Sequence, residues 1–474
     1  MNYQASLMID GVKRSGEAGP IEVVNPATGC VFSTCPGTSS DQLDQAVTAA
    51  ENAFRSWQNV PDGEIQSMLS AIADRIEANA SELAEMVVWE QGKPLALAQM
   101  EVGGAVAWTR YAADLTIPVK VIEDSDARLA ELHRKPLGVV GSVTPWNWPL
   151  MIAVWHIMPA LRTRNTVVIK PASLTPFSTL RLVEIINEVV PPGVVNSVTG
   201  DAEIGGAMSA HPGISKIVFT GSTPTGKAIM RNAADTLKRL TLELGGNDAG
   251  IVLDDADLDE ITEAIFQASF INMGQTCAAL KRLYVHVSLY EELVQRLAVM
   301  STEQGVGSGF DPANSFGPVQ NLKQLNYLEE LVDDAQKQGA RVVCGGKRLP
   351  GEGYFYPPTI VADISDGTRL VDEEQFGPVL PIIRYTDIDE VIERANDNPN
   401  GLGGSIWGSD VERAKALALR IEAGTVWINN HAEVLPHCPF GGCKKSGIGV
   451  EFGEEGLLEY TYAQLVNLNR GGGH

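Results

Sequence analysis

A chain of 474 residues is too long for one ordinary core, so two or three domains are expected, each with its own interior. With 44% hydrophobic and 20% charged residues, the composition is that of a globular protein and excludes disordered and collagen-like classes. The 36 Lys and Arg against 59 Asp and Glu leave a formal charge of -23, a field that repels nucleic acid and anionic lipid, so neither is an expected partner.

From the N-terminus, Met1–Arg14 has no basic segment leading into an apolar one and does not read as a signal peptide. The six cysteines (30, 35, 277, 344, 438 and 443) do not form a disulfide framework, and reduced thiols in the cytoplasm are the simpler expectation. Ser6–Pro36 carries strand-like runs around the turn signals Asp10-Gly11 and Asn25–Gly29, which predicts β-hairpins. Between Ser40 and Gln99 apolar residues recur at three and four, as in Leu69, Ile72, Ile76, Leu83 and Val87, and predict amphipathic scaffold helices. Leu137–Leu161 is apolar enough to suggest a membrane span, but Pro145, Pro149 and Pro159 break it into a buried strand, a loop and a helix starting near Pro149. No membrane partner is expected. After Lys135, β-branched runs alternate with helical patterns at Val139–Val143, Thr166–Ile169, Val195–Val198 and Lys216–Phe219. A second such series runs from Ala249 to about Asn429, through Leu283–Val287, Arg341–Cys344 and Thr425–Ile428. The expectation is two α/β domains, each a parallel sheet with helices on its faces.

Four places carry chemistry. Ile217–Lys227 reads as strand, glycine turn and helix, which offers backbone N–H groups to a phosphate. It is not a P-loop, because Ala228 stands where the Mg²⁺-binding hydroxyl belongs, and the usual dinucleotide fingerprint GxGxxG is absent. Cys277 has small neighbours that leave a sulfur accessible, although most lone cysteines are inert. Glu243, between two leucines, is an acid whose pKa desolvation would raise, as a general base requires. Asn147, between two tryptophans, is by default a turn residue, and its functional reading is an oxyanion donor.

A thiol, a desolvated acid, an amide donor and a phosphate turn together are what aldehyde oxidation needs. The motifs Pro145-Trp146-Asn147, Lys170-Pro171-Ala172-Ser173, Phe219-Thr220-Gly221-Ser222, Glu243-Leu244-Gly245-Gly246, Gly274-Gln275-x-Cys277, Glu374-x-Phe376-Gly377-Pro378 and Pro439-Phe440-Gly441-Gly442 resemble those of the aldehyde dehydrogenase superfamily, in order and over essentially the whole chain. Glu90-Gln91-Gly92-Lys93-Pro94 fits as well. The resemblance implies two Rossmann-like α/β domains and a small β oligomerisation arm: residues 1–116 and 136–245 for the cofactor, 246–445 for catalysis, 117–135 and 458–470 for the arm. A homodimer or homotetramer would follow.

By the same resemblance Cys277 attacks the aldehyde, the Asn147 side chain and the Cys277 N–H hold the oxyanion, hydride leaves to a nicotinamide, and Glu243 activates the water that hydrolyses the thioester. Glu243 speaks against a CoA-acylating enzyme, whose members generally lack this base. Thr144, Trp146, Lys170, Ser173, Gly221, Ser222, Glu374 and Phe376 match cofactor positions. Ser173 replaces the glutamate common in NAD-preferring members, so NADP is expected to be accepted beside NAD, with its preference open. Trp148, Met151, Trp155, Ile271, Val434 and Phe440 match the substrate tunnel. All six are apolar, which points to a medium aliphatic or aromatic aldehyde. The histidines show no metal-ligand spacing, and no metal is expected.

Overall fold

The structure, a computed structural model, describes residues 3–471. Leu7–Ile9 pairs antiparallel with Val12–Arg14 around Asp10 and Gly11, whose φ of 55° and 71° supply the left-handed pair that a two-residue hairpin needs. Ala18–Asn25 and Cys30–Gly37 form a second hairpin. The helical periodicity resolves into Ser40–Trp57, Asp62–Ala78, Ala80–Gln91 and Leu95–Asp114, and the five apolar positions read from it are all buried. Ser39 and Gln42 close a capping box at the first of these helices, satisfying two backbone donors left open by the helix end.

The first α/β sheet runs in the order Gly447–Ile448, Arg239–Glu243, Lys216–Thr220, Val139–Val143, Thr166–Lys170, Val195–Ser197. The last five strands are parallel and almost wholly buried, as helices on both faces demand. From Val139–Val143 the chain winds first toward Thr166–Lys170 and later, through Lys216–Thr220, toward the opposite edge. That reversal opens a crevice beyond the carboxyl ends of Val143 and Thr220, where open α/β sheets bind ligands. The helix Pro149–Arg162 starts at the proline that the sequence marked. No helix among the described residues is long and apolar enough to cross a membrane.

The second sheet runs Arg341–Cys344, Thr359–Ala362, Val379–Tyr385, Leu280–His286, Asp248–Val252, Gly403–Trp407, Thr425–Ile428. Its edge strand Arg341–Cys344 departs from the expected parallel series by pairing antiparallel. The connection 345–358 carries no helix, and without a crossover the chain can return only antiparallel. Lys120–Asp124, Arg128–Pro136 and Thr461–Asn469 make a separate antiparallel sheet.

Candidate active site

Between the two sheets, two short segments meet. Thr144–Trp148 leaves the carboxyl end of Val139–Val143, and Ile271–Ala279 precedes the strand Leu280–His286 of the other sheet. In the second segment Asn272, Met273 and Gly274 take φ of 50°, 60° and 65° in succession. A left-handed turn built partly from residues with Cβ atoms is strained and persists only where neighbours fix it. Here Asn272 Nδ2 donates to the Asn147 carbonyl at 2.8 Å, Trp148 Nε1 donates to Thr276 Oγ1 at 3.0 Å, and Asn147 Nδ2 donates to the Gln275 carbonyl at 3.0 Å. A Cβ on Gly274 would strike the Gly377 carbonyl. These bonds fix the loop that carries Cys277 and orient the buried Asn147 amide by one of its two N–H groups.

Glu243 is the last residue of its strand, and both of its carboxyl oxygens are buried without a hydrogen-bond partner. Burial pushes its pKa well above the ordinary carboxylate range, and the nearby Glu451 adds to the rise. Glu451 in turn lies 3.3 Å from His156 Nε2, whose other close neighbours are Thr220 Oγ1 at 3.0 Å and, across the ring, Ser142 Oγ at 2.9 Å. Burial also pushes the Cys277 thiol up to about 12, opposed by the Lys281 ammonium and reinforced by Glu243. Ser446 holds the strand end in place: its Oγ donates to the Gly245 carbonyl at 2.7 Å and accepts from Gly401 N–H at 2.9 Å, while its carbonyl accepts from Leu244 N–H at 2.8 Å. Gly401 leads into the second sheet.

Cys277 stands where two cavities meet. One, of about 240 Å³, brings Cys277, Glu243 and Asn147 together with Trp146, Gly221, Ser222, Glu374 and Phe376. The other, of about 560 Å³, is lined by Trp148, Met151, Trp155, Ile271, Val434 and Phe440, with no charged side chain on its wall. All six residues matched to the tunnel are therefore in one place. Sequence reasoning missed a further part of its lining, Met100, Gly103, Gly104, Ala107 and Trp108 on the helix Leu95–Asp114. Those five follow helical spacing, which was the available signal.

Thr144, Lys170 and Ser173 lie apart from the sulfur, in an adjoining groove of about 510 Å³ that Trp146 also borders. The groove and the polar cavity fit a dinucleotide. Thr144 Oγ1 is buried with no partner. The helix Thr223–Ala233 starts after Ser222 with no side chain capping its N–H groups, an arrangement suited to pyrophosphate. Glu374 faces the polar cavity, its pKa raised by burial and opposed by Lys281 at 2.8 Å, and Phe376 stacks edge-on to Trp146 at 5.4 Å between centroids. Burial lowers Lys170 to about 8, against the pull of Asp201. Asp201 was not read from the sequence; it accepts a 2.6 Å hydrogen bond from Ser173 Oγ.

Residues 12–466 match the profile of the Aldehyde dehydrogenase family. The phenylacetaldehyde dehydrogenase of Pseudomonas fluorescens is 40% identical over 93% of this chain and 91% of its own length. The NAD+ complex of the aldehyde dehydrogenase of Bacillus cereus superposes with a TM-score of 0.96 at 37% identity, covering 99% of this chain and 97% of that one. An NADP-dependent enzyme of E. coli superposes with a TM-score of 0.96 at 34% identity, covering 98% of both chains. The chain belongs to the aldehyde dehydrogenase family, as an oxidoreductase that works with NAD or NADP.

Proposed function

We propose that this chain oxidises a medium aliphatic or aromatic aldehyde to its carboxylic acid through a thioester on Cys277 that Glu243-activated water hydrolyses. The observation that carries this reading is the shared cavity of Cys277, Glu243 and Asn147, with both Glu243 oxygens unpartnered. A carboxyl group stripped of hydration and of partners is a proton acceptor in waiting. The thiol, held protonated by burial, passes its proton to water, and the resulting thiolate Sγ bonds to the aldehyde carbon while the carbonyl electron pair moves to oxygen. The second Asn147 N–H and the Cys277 backbone N–H stabilise that oxygen. A nicotinamide held beside Glu374 and Phe376 would supply the hydride acceptor for that carbon. Glu243 then removes a proton from water as its oxygen attacks the thioester; the C–S bond breaks, and the thiolate is free again.

Gly221 and Ser222 would hold the pyrophosphate, Glu374 and Phe376 the nicotinamide riboside, and Lys170 with Ser173 the adenosine ribose. A 2′-phosphate would be attracted by Lys170 and opposed by Asp201, so cofactor preference is a balance between these two side chains. The uncharged tunnel supports an apolar aldehyde, and phenylacetaldehyde dehydrogenase is among the similar proteins. Exposed Val121, Ile122, Leu465, Val466 and Leu468 on the three-stranded arm support a homodimer or homotetramer that covers them. The reading places the enzyme in the cytoplasm, where its free thiols stay reduced.

The test is a panel of short aliphatic, aromatic and carboxylated aldehydes, each with NAD and with NADP and without CoA. Many turnovers, fastest on the apolar aldehydes, are expected. A single turnover per site without CoA would overturn the hydrolytic reading, and preference for a carboxylated aldehyde would overturn the substrate class.

A further inference from the structure

Lys93 and Glu101 form an ion pair with both side chains fully buried, 2.6 Å from Nζ to Oε2. Burying two charges is costly, and such pairs are weak evidence of added stability, so a role beyond stability is worth seeking in what they touch. Lys93 Nζ donates to the Asn147 carbonyl at 2.9 Å and lies 3.6 Å from the centre of the Trp148 ring. Glu101 Oε1 accepts from Leu150 N–H at 3.0 Å and Met151 N–H at 3.2 Å, in the first turn of the helix Pro149–Arg162. The pair thus grips the Thr144–Trp148 loop at the Asn147 carbonyl and at the first turn of the helix that follows it.

We infer that Lys93 and Glu101 are positioning residues for the Asn147 oxyanion donor. The inference rests on the proposed role of Asn147. Its physical content is preorganisation: an amide aimed before the charge develops needs no reorientation in the transition state. The Asn147 carbonyl has two donors, Lys93 and Asn272, and Asn272 itself sits in the left-handed turn. Lys93 is the donor that does not depend on that strained turn. Lys93 also precedes the helix Leu95–Asp114, which bears Glu101 and one wall of the tunnel. The motif Glu90–Pro94 thereby gains a purpose: it ties the tunnel helix to the oxyanion loop.

A double-mutant cycle tests this with Lys93→Met/Glu101→Leu, which removes both charges together, and Asn147→Ala. The pair replacement is expected to lower kcat about 30-fold while KM for aldehyde and the dissociation constant of NAD, measured by quenching of protein fluorescence, change less than threefold. In the Asn147→Ala background the same replacement is expected to cost less than threefold, because its effect runs through the missing amide. Losses that multiply, or an unchanged kcat in the pair variant, would overturn the proposal. If Asn147→Ala alone leaves kcat intact, it is the oxyanion assignment that fails. Should the pair variant not fold, Glu101→Gln, which keeps an acceptor for the helix N–H groups, enters the same cycle, with about a fivefold loss expected alone and none beside Asn147→Ala.

Discussion

The two cavities that share the Cys277 sulfur differ in almost every physical respect. The smaller holds two carboxyl groups with raised pKa values, an amide and a helix N-terminus; the larger is a wall of tryptophan, methionine and aliphatic side chains. On the proposed mechanism, one nucleophile works at the boundary between a polar face that moves protons and charge and an apolar face that only accommodates shape. The lesson is that reaction and selectivity are separable here: changes on the polar face should alter kcat for every aldehyde, and changes on the apolar face should alter the ranking among aldehydes.

The sharpest test removes what the cavities share. Cys277→Ala should lower kcat by about 10⁴-fold or more for all substrates, measured by NAD(P)H formation. On the polar face alone, Glu243→Gln should lower steady-state kcat by about 10³-fold. A first-turnover burst of NAD(P)H should survive, since hydrolysis and not oxidation is lost; a vanished burst would show that Glu243 also serves the first step. For the wild type, a base with a raised pKa loses activity as pH falls through that raised value, so the acid limb of kcat should lie above the range of free carboxylates. Glu451→Gln removes the second cause of the rise and should move that limb to lower pH.

On the apolar face, Val434→Arg should shift the ratio of kcat/KM about tenfold from aromatic toward carboxylated aldehydes, with kcat on small aliphatic substrates held. A uniform loss across the panel would break the separation of the two faces. The smallest effect belongs to the outer groove: Asp201→Asn should move the kcat/KM ratio toward NADP about threefold to fivefold, as befits an exposed charge. Binding of NAD and NADP measured without aldehyde should show the same direction.

How legible these regions were in the sequence follows from what each depends on. The parallel strands are continuous β-branched runs between glycine and proline signals, so Val139–Val143 and Thr166–Lys170 stand almost where their residues place them. The tunnel residues matched through motifs converge, but the wall from Leu95–Asp114 does not reveal itself, because Gly103 and Gly104 in a helix look like a weak scaffold. Their use is spatial: a Cβ on Gly104 would meet the Met151 methyl at 2.6 Å. Asp201 was invisible for the same kind of reason. Its link to Ser173 exists only because adjacent strands of the sheet end side by side, and sequence periodicity does not report which strands are neighbours. Of the Lys93–Glu101 pair only Lys93 was read, as part of the motif Glu90–Pro94, and Glu101 was not, since nothing in one dimension shows that their target is Asn147.

The Ser446 bonds carry a consequence for biogenesis. Leu242 and Glu243 pair with Ile448 and Gly447, and the Ser446 hydroxyl reaches Gly245 across a separation of 201 residues. A ribosome-bound chain can complete the early strands of the first sheet while this edge is still missing. Contacts so distant in sequence close late, after the loop entropy of everything between them has been overcome. The strand end that bears Glu243 is therefore among the last parts to mature, and on the proposed mechanism an immature chain that has Cys277 in place but not this edge would meet an aldehyde before it could release the acid.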